Sequence, residues 1–342
     1  MIVTRRFPAY LLLAFTARLA GGGALWSLAV FGLYAYAELH VLRQPFLPIA
    51  TIGTAVAFYV GFKNNASYER FWEARKIWGG IVNASRSWAT AVVAQVCPGD
   101  EGEAAREIRR TLIYRQMAWI NALRLQLRRT SRFHDKPART TKRRLERHRD
   151  HMRNDWELEI APFVSPAELK DLEAVANPAT HLLTRQGKAL AGMIQEKRLD
   201  LFHQISMMEL ITELFTLQGQ CERIKNTPFP RQYAEYSRFF THVFVFLVPF
   251  GLLDVFGDQV DQAATTLQTL APAMPMVVAG SLITWVFRTM ESIGDSSEDP
   301  FERGMNDVPM NALCRAIEID LRQILGETEV PAKEEPAGWI LY

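Results

Sequence analysis

An uncharged run from Pro45 to Phe62 constrains this chain more than any other feature of the sequence. A helix rises about 1.5 Å per residue, so the run is long enough to cross most of a hydrocarbon layer of about 30 Å. Charged and aromatic residues follow without a break, beginning at Lys63 and continuing through Glu69 and Arg70. The pattern predicts one helix that leaves a membrane and continues into water.

The apolar half of this helix has two faces. One is β-branched and suits packing against lipid or other helices; it comprises Ile49, Ile52, Val56 and Val60. The other is small or hydroxylated until the phenylalanines; it comprises Thr51, Thr54, Ala55, Phe58 and Phe62. Small residues let another helix approach closely, but a narrow apolar face can also line a pore that gates by dewetting. The spacing leaves both interpretations open.

Three further segments are predicted to span a membrane, at residues 24–42, 239–256 and 267–290. Prolines interrupt the last two segments, which is tolerated where other helices cover the freed backbone groups. The glycine triplet at residues 21–23 is expected to be a flexible entry to the first span. The pattern of residues 4–15, before it, predicts an amphipathic helix on the cytosolic membrane surface, with a cleaved signal as the alternative.

Basic residues lie on one side of the predicted spans. The connection after the third span instead carries Asp254, Asp258 and Asp261, with neither lysine nor arginine. By the positive-inside rule, both termini and the long middle region are cytoplasmic, and the chain is placed in the inner membrane of a cell. The predicted organisation is a surface helix and two spans at 1–62, a cytosolic helical region at 63–238, two spans at 239–290 and a cytosolic segment at 291–342.

The fold is predicted to be all-α, because no segment shows the alternating pattern of a strand. Cytosolic helices are expected at residues 101–129, 140–156, 166–176, 178–197 and 201–225. The start at Ser165 is well marked by a hydroxyl cap, then Pro166 at the first helical position and Glu168 three residues on. The cytosolic helices are expected to continue the membrane ones.

No catalytic residues are recognised in the sequence. The sequence contains no nucleophile elbow, no P-loop and no dinucleotide fingerprint after a strand, so an enzyme is not expected. The cysteines Cys97, Cys221 and Cys314 are far apart and odd in number, which excludes both a disulfide framework and a zinc spacing. A reducing cytosolic side is the natural home for most of the chain.

Three clusters of residues are candidates for binding sites. His148, His151 and Asp155 have the spacing of one helix face and could hold a metal, although a solvated surface is the simpler interpretation. The basic run from Arg128 to Arg149 is interpreted as a solvated or lipid-facing surface, with no nucleic acid as partner. The acidic stretch from Glu291 to Glu302 could hold Ca²⁺ through carboxylate oxygens, but Asp299 also fits a helix cap with Glu302 as the capping-box carboxylate.

Two motifs resemble the bestrophin family, especially its bacterial branch. The first runs from Gly61 to Arg75 (GFKNNASYERFWEAR), and Trp78 and Gly79 follow it. The second joins residues 298–301 (EDPF) and 306–310 (NDVPM) to the segment CRAIE at 314–318. The order of the spans around both motifs matches, so the resemblance covers most of the chain from Phe7 to Leu325.

This resemblance implies a homopentameric ion channel with four spans per subunit. Its partners would be further copies of the chain, the lipid bilayer and small inorganic ions. The second span of bestrophins lines a narrow neck through residues one helical turn apart. That neck falls here on Thr51, Ala55 and Tyr59, or one residue earlier on Ala50, Thr54 and Phe58, with Phe62 beyond. The upper turns carry small or hydroxyl residues where a bulky triplet is usual, which favours a wider or wetter constriction.

The resemblance also bears on calcium and on the alternative function. The calcium clasp of the family would fall on Glu298, Asp299 and Glu302, but these acids are sparser than in animal members and a proline interrupts them. No cofactor is therefore required. The alternative from another class is a membrane-anchored helical scaffold or signalling protein that binds partners through its basic run. The sequence does not determine whether the conducted ion is an anion or a cation.

Overall fold

Helices dominate the computed structural model, which describes residues 1–4, 9–129, 146–262, 268–269 and 271–342. In chain order they are α1 Ala9–Tyr36, α2 Phe46–Gln95, α3 Glu103–Arg128, α4 Trp156–Ile160, α5 Pro166–Glu173, α6 Pro178–Gln195, α7 Leu201–Asn226, α8 Arg231–Asp261, α9 Ala273–Ser297 and α10 Met310–Ile324. Extended pairing within the described ranges is limited to isolated bridges at Ile2, Ala337 and Ile340. The prediction of an all-α membrane protein is confirmed.

The chain divides into two compact units. The membrane unit comprises Thr4–Glu69 and Phe229–Glu298. The helical unit comprises Met1–Val3, Arg70–Pro228 and Asp299–Tyr342. Helix α2 contributes to both, because it runs unbroken from Phe46 to Gln95. The domains predicted from the sequence were divided at the membrane boundaries, whereas these two units are divided by contacts within the chain. The predicted domain boundaries therefore stay a prediction.

Four helices are long and apolar enough to cross a membrane: Thr16–Tyr36, Phe46–Gln95, Arg231–Asp261 and Ala273–Ser297. They correspond to the four predicted spans. The prediction for the first span was wrong at its far end, because α1 ends at Tyr36 and a separate short 3₁₀ helix covers His40–Leu42. Glu38 has a φ of 55°, in the left-handed region that an α-helix cannot continue through. The predicted surface helix falls partly on residues 5–8, outside the described residues.

The glycine triplet lies inside α1, so the prediction of a flexible hinge there was wrong. Gly23 lies where α1 packs closely against α9, and a Cβ atom added to it would be 2.6 Å from Thr284 Cβ. The packing is reciprocal, since a Cβ atom on Gly280 of α9 would collide with Ser27 Oγ of α1. Ser281 also donates a hydrogen bond to the carbonyl oxygen of Ala20 at 2.9 Å. The small residues therefore serve close helix packing, as is common in membranes.

Alanine substitutions within the triplet should separate packing from flexibility. Gly23→Ala should lower the free energy of unfolding by about 1–3 kcal/mol, because the new methyl group overpacks against Thr284. Gly22→Ala is the matched control, since nothing lies within 4 Å of the added Cβ. It should be neutral or stabilise the helix by up to about 1 kcal/mol. Thermal unfolding in detergent measures both, and equal effects of the two variants would contradict the packing assignment.

The core of the membrane unit contains one face of α2 together with α1, α8 and α9. Ile49, Val56 and Val60 are buried in it, as the β-branched pattern predicted, whereas Ile52 is partly exposed. Pro249 lies inside α8 and is buried, so neighbouring helices do cover the interrupted backbone. One face of α2 is thereby fixed against the rest of the unit.

The helical unit has its own core, built around α3 and the second half of α2. Trp78, Trp88 and Trp119 are fully buried in it. Ser165 caps α5 as predicted, accepting a hydrogen bond from the Glu168 N–H at 3.2 Å. The cysteines Cys97, Cys221 and Cys314 are free thiols and buried. Burial raises the pKa of the Cys314 thiol to about 11, so it is protonated at neutral pH.

The predicted helix at residues 140–156 was wrong in its second half. Residues 140–145 lie outside the described residues, residues 146 and 147 are helical, and a short 3₁₀ helix follows at Arg149–His151. Arg153 then has a φ of 47°, which breaks any continuing α-helix. Helix α4 begins only at Trp156, with the Asp155 side chain as its cap.

Candidate functional site

The candidate functional site is the exposed face of α2 within the membrane unit. Phe58 is 65% exposed and Phe62 is 74% exposed, although both are large and apolar. On the opposite face, Val56 and Val60 are 4% and 1% exposed. Exposed phenylalanines on a helix whose other face is packed indicate a surface that serves lipid, another subunit or a pore.

The upper turns of this face carry Thr51 and Thr54, which are exposed as well. Each hydroxyl group donates its proton to the backbone carbonyl oxygen four residues earlier, Thr51 to Leu47 at 2.9 Å and Thr54 to Ala50 at 3.1 Å. Neither hydroxyl proton is therefore free for water or an ion on this surface. The face is less polar than the sequence alone indicated.

The two predicted neck registers have different surroundings in the membrane unit. Tyr59 is only partly exposed and packs on α8, with its ring stacked on Tyr233 at 6.3 Å between centroids and edge-on to Phe240 at 5.7 Å. Thr54 and Phe58, one helical turn apart, remain exposed on the open face. Ala55 is also exposed, on the flank between the two registers. Ala50 is partly exposed as well, and Phe58 is the most exposed large side chain of either register, which makes Ala50, Thr54 and Phe58 the candidate neck.

An open apolar groove lies beside this face. It has a volume of about 840 Å³ and is lined on the α2 side by Ala50, Thr54, Phe58 and Phe62, among others. Phe244 of α8 and Phe287 of α9 form part of the opposite wall. Gly53 allows the close approach of Phe244, whose ring would be 2.5 Å from an added Cβ atom. The groove thus follows the same register as the exposed phenylalanines.

A buried charge cluster lies directly after the exposed phenylalanines. The Lys63 ammonium group is 2.7 Å from Glu291 Oε1 and also pairs with Asp295. In the sequence, Glu291 and Asp295 belong to the acidic stretch considered for Ca²⁺, and Lys63 only marks the start of the charged half of the predicted helix. The missed signal was its position, because Lys63 continues the buried face of Val56 and Val60 at helical spacing.

The candidate calcium ligands each have a basic side chain nearby. In the membrane unit, Glu298 Oε1 is 3.8 Å from Arg231 Nη1. In the helical unit, Asp299 Oδ1 is 3.7 Å from Arg70 Nη2, and Glu302 forms an ion pair with Lys225. A calcium ion at these carboxylates would have to compete with the basic groups.

The helix start predicted at Asp299 was wrong. Residues 299–302 form a turn instead, in which the Glu302 N–H donates to the Asp299 carbonyl oxygen at 3.5 Å. Arg303 follows with a φ of 68°, so no α-helix can run through it. Glu302 is also engaged with Lys225, and the next helix begins at Met310.

The His148, His151 and Asp155 cluster does not share a helix face. Asp155 accepts the Leu158 N–H at 3.0 Å as the cap of α4. His148 Nδ1 lies 2.8 Å from the Tyr342 hydroxyl group. Among the residues that the structure describes, no group of three or more His, Cys, Asp or Glu side chains is arranged to hold a metal ion. Most of the basic run, residues 130–145, lies outside the described ranges.

Comparison with known proteins identifies the family. The sequence matches the family described as bacterial/fungal bestrophin protein over residues 20–323, which include both motifs, three whole spans and most of the first span. The chain belongs to the bacterial and fungal bestrophin family. The resemblance predicted from the two motifs is confirmed.

Curated relatives align with nearly the whole length of this bestrophin. The voltage-dependent anion channel-forming protein YneE of Escherichia coli (strain K12) is 29% identical over 313 residues, which are 91% of this chain and 87% of the relative. The voltage-dependent anion channel-forming protein mll4386 of Mesorhizobium japonicum is 28% identical over 316 residues, which are 92% of this chain and 86% of the relative. Both proteins are named for anion channel formation.

The fold also matches a solved bestrophin structure. The crystal structure of a bacterial bestrophin homologue from Klebsiella pneumoniae aligns with a TM-score of 0.73 at 23% identity. The alignment covers 92% of this chain and 99% of the other. At this identity the match supports the fold, and the roles of individual residues have to be argued from this chain.

Proposed function

We propose that this bestrophin is a passive ion channel in which several copies of the chain surround a central pore lined by the exposed face of α2. The single observation that carries the proposal is the exposure of Phe58 and Phe62 on a membrane helix whose opposite face is packed. An apolar lining of this kind can close a pore by dewetting and open it with little movement. Family membership supports a channel rather than an enzyme.

The finer features of the proposal come from the sequence and the relatives. We propose a homopentamer in the inner membrane, with both termini in the cytoplasm. The names of the relatives favour anions as the conducted ions, while the neck on Ala50, Thr54 and Phe58 offers apolar surface rather than fixed charge. Phe62 extends this surface by one further turn.

Reconstitution tests the channel directly. Purified protein in liposomes or a planar bilayer should carry ionic current, and the reversal potential in an asymmetric KCl gradient should move towards the chloride equilibrium potential. Protein-free membranes are the control, and cross-linking should give a pentamer. An intact oligomer that stays electrically silent would contradict the channel. A reversal potential near that of potassium would overturn only the anion preference.

We propose further that conduction needs no cofactor. The three candidate calcium ligands all lie near basic side chains, so the same recordings should be unchanged when a chelator replaces millimolar Ca²⁺. Deleting residues 139–149 tests the scaffold alternative in parallel. A channel should keep its current without them, whereas a scaffold would lose its partner.

A further inference from the structure

The strongest unassigned feature is the buried charge cluster around Lys63. The Lys63 side chain is 1% exposed and that of Glu291 is 8% exposed, both inside the membrane unit. Burying an ammonium group among apolar residues is costly unless it is paired and hydrogen-bonded. Such a residue in a membrane helix is a candidate for function.

Ion pairs within the cluster connect helices α2, α8 and α9. Lys63 of α2 binds Glu291 and Asp295 of α9, and Asp295 Oδ2 lies 3.3 Å from Arg238 Nη2 of α8. The cluster thus holds two cations and two anions, so its charges balance. Arg238 also faces Glu235 of its own helix at 3.4 Å, on the exposed side.

The backbone approaches closely at the same turn. Asn64 Nδ2 donates a hydrogen bond to the Met290 carbonyl oxygen at 3.0 Å. A Cβ atom added to Gly294 would collide with Asn64 Oδ1, so a larger residue there would displace the Asn64 side chain. Two successive residues of α2, Lys63 and Asn64, are therefore held by one turn of α9.

The polar contacts of Lys63 and Asn64 restrain rotation of α2 about its axis more strongly than the packing of its apolar face does. Packing of Val56 and Val60 is non-directional, whereas an ammonium group between two carboxylates has a defined geometry. Lys63 directly follows Phe62, so the angle of α2 at Lys63 also fixes the direction of the phenylalanine face. Buried ion pairs are weak sources of stability, and specifying one arrangement is among their documented uses.

We propose that Lys63, Glu291 and Asp295 form a latch that positions the phenylalanine face of α2, and that releasing this latch changes the gating of the channel. Lys63 is a positioning residue, since it acts through Phe58 and Phe62 and does not itself face the groove. The inference rests on the proposed channel function. Movement of α9 or α8 would reach the pore through this cluster.

Single-channel recording of full-length variants tests the latch. Lys63→Met removes the charge and keeps an unbranched side chain, and should change the open probability by about tenfold, the scale of a residue that couples two elements. Lys63→Arg keeps the charge and should stay closer to the wild type. Gly294→Ala disturbs the same turn without altering charge and should shift gating in the same direction as Lys63→Met. Glu235→Gln, which lies outside the cluster on the exposed side of Arg238, is the matched control and should behave as the wild type.

A double-variant comparison separates positioning from simple stability. If the latch acts through the phenylalanine face, the effect of Phe58→Ala on conductance should be smaller in a Lys63→Met background. Should Lys63→Met fail to assemble, the exchanged pair Lys63→Glu with Glu291→Lys should restore assembly and gating, because it retains the attraction between α2 and α9. Wild-type gating in assembled Lys63→Met and Gly294→Ala would overturn the latch. A silent wild-type protein would instead refute the channel itself.

Discussion

Phe58→Ala should raise single-channel conductance by about twofold or more, because it removes the largest apolar side chain of the favoured neck register. Phe58 is 65% exposed, so the subunit should keep its fold. Surface changes of this kind usually alter the free energy of unfolding by less than about 0.5 kcal/mol. The measurement is single-channel recording in symmetric salt.

Tyr59→Ala is the matched neighbour and should behave differently. Its ring packs on Tyr233 and Phe240, and losing these contacts should lower the free energy of unfolding by about 1–3 kcal/mol with a smaller change in conductance. A large conductance change in Tyr59→Ala combined with none in Phe58→Ala would move the neck to the register of Thr51, Ala55 and Tyr59. Unchanged currents in both variants would move the pore to another face.

Arg124→Met should destabilise the helical unit by about 3 kcal/mol or more, as expected when one member of a buried ion pair is removed. Arg124 is fully buried in α3, and burial lowers the pKa of its guanidinium group. It contacts Glu159 Oε2 at 2.6 Å and the Arg153 carbonyl oxygen at 2.9 Å. Without it, Glu159 would remain buried with Arg153 as its remaining cation.

Thermal unfolding in detergent measures this loss, followed by the elution of intact oligomer. Arg106→Met is the control on the same helix, because Arg106 is 70% exposed and lies 3.9 Å from an equally exposed Glu101. Such surface pairs contribute less than about 1 kcal/mol. Equal melting temperatures for Arg124→Met and the wild type would show that Met fills the site as well as the ion pair does.

Three segments predicted to be helical contain a residue other than glycine with a positive φ, where an α-helix cannot continue. Glu38, Arg153 and Arg303 all have a positive φ, at positions where the sequence carries neither the glycine nor the asparagine that usually marks such a turn. For Arg153, contacts with Glu159 and Glu334 hold the side chain in place. Glu334 lies 181 residues from Arg153 in the chain, so local patterns could not reveal this contact.

The sequence by itself determined that α2 crosses a membrane and continues beyond it. An uncharged run of this length is typical of a helix that spans the hydrocarbon layer, and the charged residues that follow it require water. It also determined the all-α class and, through the motif after Gly61, the family. Each of these follows from residues close together in the chain, where periodicity and capping act.

Only the tertiary structure decided which face of α2 is open and what Lys63 does. Tyr59 is covered and Phe58 is exposed because α8 packs on one flank of α2, and the sequence does not state that angle. Likewise, Glu291 and Asp295 lie more than two hundred residues from Lys63 in the chain. Glu291 and Asp295 belong to the acidic stretch that the sequence offers as a calcium site, but in the structure they bind Lys63. Helix packing, rather than sequence spacing, selects the partner of a buried charge.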